Sequence, residues 1–217
     1  MDISSICVKS GKGFKLDPNK CDELLGHNKK DRSKIEKKLS ENTAKSAELQ
    51  DKLYAQNTHS VLIVLQATDA AGKDGTIKHV TSGLNPQGCH VRSFKAPSSE
   101  ELDHDYLWRI SRQLPQRGTI GVFNRSHYEE VIVAKVHDLP MKQQLPKDRL
   151  TKNLWKERYR QINDYEKYLH ENGIVMIKIF LHLSKDEQKK RILTRIDDPA
   201  KNWKFSAGDL DERKHWD

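Results

Sequence analysis

The sequence predicts an α/β protein with a mainly parallel central sheet and helices on both of its faces. Two observations predict it. An apolar run, Val61-Leu62-Ile63-Val64-Leu65, leads straight into a glycine-containing loop and a helical pattern. Apolar runs recur at Thr119–Phe123 and Ile174–Leu181, and a further short strand is expected at Cys89–Phe94, each separated from the last by helical periodicity or turn residues. Strands that alternate with helices pair in parallel and bind ligands at their carboxyl ends.

Taken in order, residues 1–30 are rich in Lys, Gly and Asn without a sustained period and read as an N-terminal arm, expected to pack on a neighbour in a homo-oligomer. From Arg32 to Gln56, Ile35, Leu39, Leu49 and Leu53 fall near one face of a long amphipathic helix, read as scaffold. Strand Val61–Leu65 follows, then a loop, a helix from about Lys73 to Leu84, and a turn at Asn85-Pro86-Gln87-Gly88 before the second strand. Ser98 with Glu101 forms a capping box for a helix running to about Gln113, closed by Pro115 and Gly118. After the third strand, Val131–His137 reads as helix, and a long helical pattern runs from about Lys147 to Asn172-Gly173. The fourth strand is followed by a second capping box, Ser184 with Glu187, and a helix carrying Arg191 and Arg195 that stops at Asp197-Asp198-Pro199. Residues 31–217 thus read as a single domain, with 184–210 as a helical lid.

The loop Ala67-Thr68-Asp69-Ala70-Ala71-Gly72-Lys73-Asp74-Gly75-Thr76 is where a strand-to-helix turn binds phosphate. Backbone N–H groups at a helix N-terminus carry partial positive charge, Gly72 lets the chain approach an anion, and Lys73 adds a full charge. The usual G-x-x-x-x-G-K-[ST] pattern is altered at both ends, to Ala67 and to Asp74 in place of the metal-binding hydroxyl. Both Asp69 and Asp74 place carboxylates where magnesium would bridge phosphate groups.

At 217 residues the chain can bury one substantial core. No apolar stretch approaches the roughly 20 residues that span a bilayer, and no signal core follows Met1, so a cytoplasmic protein with no membrane partner is expected. Three scattered cysteines, Cys7, Cys21 and Cys89, offer neither a zinc set nor a disulfide framework. A net charge of +8 points to a polyanionic partner. Nucleic acid is disfavoured, because the basic residues are dispersed among acids and few aromatics interleave with them.

At the end of the third strand stands Phe123-Asn124-Arg125-Ser126-His127-Tyr128-Glu129-Glu130. A nucleotide-hydrolysing protein would put a metal-binding Asp where Asn124 is; a neutral residue fits if Asp69 and Asp74 supply the carboxylates, and Arg125 then becomes a planar fork for phosphate oxygens. Glu129 could orient an acceptor, hold metal, or simply be a solvated first-turn glutamate. His127 reads as a packing or hydrogen-bonding residue, and Tyr106 and Trp108 as core.

With these residues the chain resembles the type 2 polyphosphate kinases, through D-A-A-G-K-D-G-T at Asp69–Thr76, D-Y-L-W-R at Asp105–Arg109, F-N-R-S-H-Y-E at Phe123–Glu129 and the stretch Ile196–Phe205. The N-R-S-H-Y-E form is similar to class III of that family. The resemblance implies a three-layer, thymidylate-kinase-like P-loop kinase fold and reversible, magnesium-assisted transfer of a terminal phosphoryl group from inorganic polyphosphate to AMP or ADP, with manganese able to replace magnesium. It implies catalytic roles for Asp69, Lys73, Asp74 and Arg125, with Asp69 and Asp74 also holding the metal. Phosphate or nucleotide binding falls to Ala70, Ala71, Gly72, Gly75, Thr76, Glu129, Arg191 and Arg195. It also implies the rest of a helix, a further strand and a terminal helix after Trp216-Asp217, so the sequence is expected to be a fragment or to lack a tail, and a molecule that did end at Asp217 would lose a strand and expose a sheet edge. An ATP-dependent nucleotide kinase, or a polyphosphate- or nucleic-acid-binding protein without catalysis, would share the loop and the charge.

Overall fold

The computed structural model describes residues 4, 6–17, 21, 27, 29–141 and 145–216. Of the arm expected over residues 1–30, residues 1–3, 5, 18–20, 22–26 and 28 lie outside them, as does Asp217. The chain falls into two compact units, each treated by itself.

The first unit, Leu39–Ala67 with Gly72–Leu181, contains the sheet. Four strands, β1 (Ser60–Ala67), β2 (Cys89–Ser93), β3 (Ile120–Asn124) and β4 (Ile174–Leu181), lie in the order β2-β3-β1-β4, all paired in parallel. β1 is central. Its residues alternate between two apolar layers: Leu62 and Val64 join Phe94, Ile110 and Phe123 on one face, and Leu65 joins Ile77 and Val122 on the other. A strand buried on both faces reads as a continuous apolar run, as 61–65 does. Each such side chain taken fully from water contributes about 1.5–3 kcal/mol.

Helix α1 (Arg32–Gln56) enters this unit, but its expected apolar face is not its buried one. Ile35, Leu39 and Leu49 are exposed, while Gln50 is buried and exchanges two hydrogen bonds with the main chain of Asn85, at 2.8 and 3.0 Å. An amide closing on the N–H and C=O of Asn85 satisfies both main-chain groups at the start of the turn, which an aliphatic side chain could not do. Helix α2 (Lys73–Thr81) packs on the β1–β3 face through Ile77.

The helix expected from Ser98 to Gln113 is two short ones, α3 (Ser99–Leu102) and α4 (Trp108–Ser111). The capping box at Ser98 is complete, yet Asp105 Oδ1 accepts from Leu107 N–H at 2.9 Å, a local turn that competes with the helix. Helix α5 (Val133–Val136) is equally short. Helix α6 (Leu154–Glu171) begins later than its sequence pattern, Lys147–Arg149 forming a separate 3₁₀ turn. It ends at Gly173, whose φ of 88° only glycine adopts without strain.

The second unit groups Met1–Lys38, Thr68–Ala71 and His182–Asp217. Helix α7 (Lys185–Asp197) is capped by Ser184 Oγ, which accepts from Glu187 N–H at 3.2 Å. Glu187 does not complete the box; its carboxylate pairs with Arg191 at 2.9 Å. Helix α8 (Ala207–Glu212) is tied to α7 through Arg195 and Asp209, 2.8 Å apart. Among the described residues no helix is long and apolar enough to cross a membrane.

Candidate active site

The loop after β1 divides between the units: Thr68–Ala71 group with the second and Gly72–Thr76 with the sheet. In the sheet unit, Gly72 has φ 97° and precedes α2 without a side-chain cap, so the first turn of the helix keeps its N–H groups for other acceptors. Lys73 Nζ donates to Ala67 O at 3.1 Å, folding the side chain back over the loop. Asp74 sits in the first turn of α2, where Oδ1 accepts from Asn124 Nδ2 at 2.7 Å; Asn124 thereby joins the loop to the end of β3. Gly75 has open space where a Cβ would be, and Thr76 Oγ1 donates to Gly72 O at 3.2 Å.

In the second unit, Ala70 has φ 60°, an uncommon left-handed backbone for a residue other than glycine. The carbonyls of Asp69, Ala70 and Ala71 turn to α7: Gln188 Nε2 donates to Asp69 O at 3.0 Å, and Arg191 Nη1 to Ala71 O at 3.0 Å and Ala70 O at 3.4 Å. Arg195 is engaged by Asp209 and by the carbonyl of Lys204.

The segment after β3 turns sharply. Arg125 has φ 65°, and its N–H donates to Leu65 O at 3.0 Å. Ser126 Oγ accepts from Tyr128 N–H and starts a 3₁₀ turn over His127–Glu130. Arg125 Nη1 lies 3.2 Å from Glu129 Oε2, and the other oxygen of Glu129 accepts from Gln66 Nε2 of β1 at 2.8 Å. Gln66 at the end of β1 and Glu129 after β3 thus hold the guanidinium at the carboxyl edge of the sheet.

Here the sheet unit opens a cavity of about 540 Å³. Its walls come from the segments after β2 and β3, Phe94–Pro97 and Arg125–Glu130, and from α3, α4, α6 and their connections. Arg158 and Glu130 form a buried pair 3.4 Å apart, with the Arg158 guanidinium 4.0 Å over the ring of Tyr106. Burial pushes the Glu130 carboxyl above the usual range, and Arg158 opposes this only in part. Among the described residues, His127 Nδ1 and Arg158 Nε are buried without a hydrogen-bond partner, while Arg109 Nε and Glu130 Oε1 make no aligned hydrogen bond and have only ion-pair neighbours, Glu101 Oε1 at 3.2 Å and Arg158 Nη2 at 3.4 Å; all four residues line this cavity. Unsatisfied buried polar atoms are costly, and their gathering around one void fits a polar ligand. A cavity that joins apolar walls to cations at the carboxyl ends of parallel strands suits a nucleotide.

A model of the polyphosphate kinase 2 family matches residues 29–217. The chain belongs to that family. It is 50% identical over 219 residues to an ADP-polyphosphate phosphotransferase of Rhodopseudomonas palustris, an alignment that covers 100% of this chain and 76% of the relative. An AMP/ADP-polyphosphate phosphotransferase of Meiothermus ruber is 48% identical over 169 residues, with 78% of this chain and 60% of the relative covered. The crystal structure of polyphosphate kinase 2 from Arthrobacter aurescens TC1 superposes with a TM-score of 0.83 at 41% identity, covering 95% of this chain and 71% of that one. The fold is therefore the P-loop kinase-like α/β fold of this phosphotransferase family.

Sequence reasoning passed over Arg109, Glu130 and Arg158. Arg109 and Glu130 lie in or beside the motifs already quoted, whereas Arg158 is one cation in a highly charged helix. A signal for it did exist. Arg158, Ile162, Tyr165 and Leu169 follow helical spacing on the buried stripe of α6, which places a guanidinium where an apolar residue belongs. Tyr106, read as core, lines the cavity.

Proposed function

We propose that this chain transfers the terminal phosphoryl group of inorganic polyphosphate to AMP and to ADP, reversibly and with magnesium. The cavity beyond the carboxyl ends of β2 and β3 carries the reading, supported by relatives named for AMP- and ADP-polyphosphate phosphotransfer. The acceptor's base and sugar would occupy its apolar part, with its phosphate directed to Arg125.

The acceptor phosphate is anionic near pH 7, so its oxygen needs no general base. That oxygen attacks the terminal phosphorus of polyphosphate, a new P–O–P linkage forms, the donor's P–O–P bond breaks, and the shortened polyphosphate departs with the bonding pair. What remains for the protein is alignment and neutralisation of charge. Gly72 and the start of α2 offer N–H groups to the donor phosphates, Lys73 adds charge, and Arg125 spans two phosphate oxygens as a planar fork. Within the second unit, Arg191 and Arg195 would offer cations to a polymer that has no base or sugar to recognise.

The carboxylates of Asp69 and Asp74 are hard oxygen donors, and magnesium characteristically takes one or two such groups and fills its shell with phosphate oxygens and water. Asp74, at the start of α2 and already oriented by Asn124, fits that role. When bound, the ion would neutralise phosphate charge and draw the two reactants together.

Phosphorus NMR of the protein with magnesium, polyphosphate and AMP, beside samples with ADP and with ATP replacing polyphosphate, tests the reading. Formation of ADP and ATP from polyphosphate is expected. Transfer from ATP alone would make the chain an ATP-dependent nucleotide kinase, and no transfer would leave a binding protein.

A further inference from the structure

Beside the turn after β3 lies a polar cluster whose members come from three elements, with His127 buried, Tyr128 and Glu166 half-buried and Lys178 exposed. Glu166 of α6 is its centre. One carboxylate oxygen accepts from His127 Nε2 at 3.3 Å and from the hydroxyl of Tyr128, and the other accepts from Lys178 Nζ of β4 at 2.6 Å. Lys178 also donates to the Tyr128 hydroxyl at 3.2 Å, so that oxygen accepts one hydrogen bond and gives one. A carboxylate can only accept, which fixes the His127 proton on Nε2. Burial works against the Glu166 charge, but the hydrogen bonds from His127, Lys178 and Tyr128 outweigh it and hold the carboxyl at about 2.

Glu166 is not among the residues lining the cavity, whereas His127 is. The pair His127-Tyr128 lies between Arg125 and Glu129 in the chain, within the turn that starts from the left-handed backbone of Arg125. Such a backbone persists only when its surroundings determine it from several sides. Leu65 O holds the Arg125 N–H, Gln66 holds Glu129, and Glu166 holds the two side chains between them.

We propose that Glu166 is a positioning residue: through His127 and Tyr128 it fixes the turn that presents Arg125 and Glu129, and Lys178 keeps its carboxylate aimed and neutralised. This rests on the reading of Arg125 as a phosphate ligand. A general packing role would need no charge, since buried ion pairs are commonly replaced by apolar groups without loss of stability. A positioning role does need the acceptor oxygens, because they set where the turn lies.

The test uses the full chain with Glu166→Ala, Glu166→Gln and Lys178→Met, following kcat and KM for polyphosphate and AMP, tripolyphosphate affinity by calorimetry, and thermal unfolding. Glu166→Ala should lower kcat about a hundredfold and weaken tripolyphosphate binding about tenfold, the scale of a catalytic group displaced by roughly 1 Å, with the KM for AMP changing far less. Glu166→Gln keeps one carbonyl to accept from Tyr128 and should recover about tenfold of the kcat loss; Lys178→Met should fall between it and the wild type. Glu166→Ala with kcat and tripolyphosphate affinity within about twofold of wild type would overturn the proposal, as would losses in the Ala and Gln variants that simply follow their melting temperatures. Should the wild type transfer nothing, the proposed function fails instead, and the tripolyphosphate affinities of Glu166→Ala and Glu166→Gln still decide this point. Should Glu166→Ala not fold, the comparison of wild type, Glu166→Gln and Lys178→Met carries the decision.

Discussion

The turns after β1 and β3 leave neighbouring parallel strands at the same edge of the sheet, yet they are held by opposite means. In the turn after β1 side chains take hold of carbonyls only, Gln188 and Arg191 donating to those of Asp69, Ala70 and Ala71, and the N–H groups at the start of α2 are left open. Its special positions are left-handed Ala70 and Gly72, α2 begins without a side-chain cap, and side chains such as Lys73 and Thr76 bond back to loop carbonyls. The turn after β3 is a side-chain device: Ser126 caps it, Gln66 grips Glu129, and Glu166 grips His127 and Tyr128. The difference follows from what each must present. Backbone N–H groups stay available to an anion only when no side chain takes them, whereas one arginine fork delivers its charge to a point only if the chain beneath it is fixed.

The largest effects should therefore come from the functional groups of the first turn. Lys73→Ala and Asp69→Asn are each expected to lower kcat by about a thousandfold or more while the melting temperature stays near wild type, since neither side chain builds the core. Turnover near the wild-type rate in either variant would remove the phosphate loop from the mechanism. Next should come Arg125→Lys, with a loss of about a hundredfold in kcat, because an ammonium cannot span two phosphate oxygens. If that variant loses only KM for polyphosphate, Arg125 serves binding uniformly and the contrast between the turns weakens.

The same contrast explains what could be read from the sequence. Strands β1, β3 and β4 were legible because apolar runs bounded by turn residues mark buried parallel strands, and both Ser98 and Ser184 were legible as caps. The loop could be named because its chemistry is local: Gly72, Lys73 and the acidic residues are adjacent in the chain. The second turn was only half legible. Arg125 and Glu129 stand in a motif, but the groups that hold them, Gln66, Glu166 and Lys178, come from three distant elements and look like ordinary polar positions. Gln50 was missed for a related reason, since its partner is the main chain of Asn85. The break between α3 and α4 was hidden because an Asp turn overrides a helical pattern that continues across it.

Acid should sharpen the comparison further, because the second turn leans on Glu166, a half-buried carboxylate with a strongly lowered value. Glu166 falls from an ordinary 4.5 to about 2 on folding. The folded form thus binds the proton less readily than the unfolded one. Its contribution is fully present above about pH 4.5 and is lost as pH falls toward about 2, amounting to about 2 kcal/mol once partial solvent screening is allowed for. Denaturant melts at pH 6 and pH 3 should show a smaller acid-induced loss in Glu166→Gln than in wild type; equal losses would place the acid sensitivity elsewhere.

The smallest effect separates the two turns by their caps. Ser126 Oγ is buried and accepts from Tyr128 N–H, so Ser126→Ala leaves a donor at the start of a 3₁₀ turn unsatisfied and should cost about 1 kcal/mol. Thr76 is half-buried, and its Oγ1 only bonds back to Gly72 O one turn earlier, a contact that contributes little, so Thr76→Ala should change unfolding by no more than about 0.5 kcal/mol. Urea unfolding of both variants against wild type measures the difference directly. Equal costs would mean that the Thr76 hydroxyl supports the start of α2 as much as the Ser126 cap supports the turn after β3.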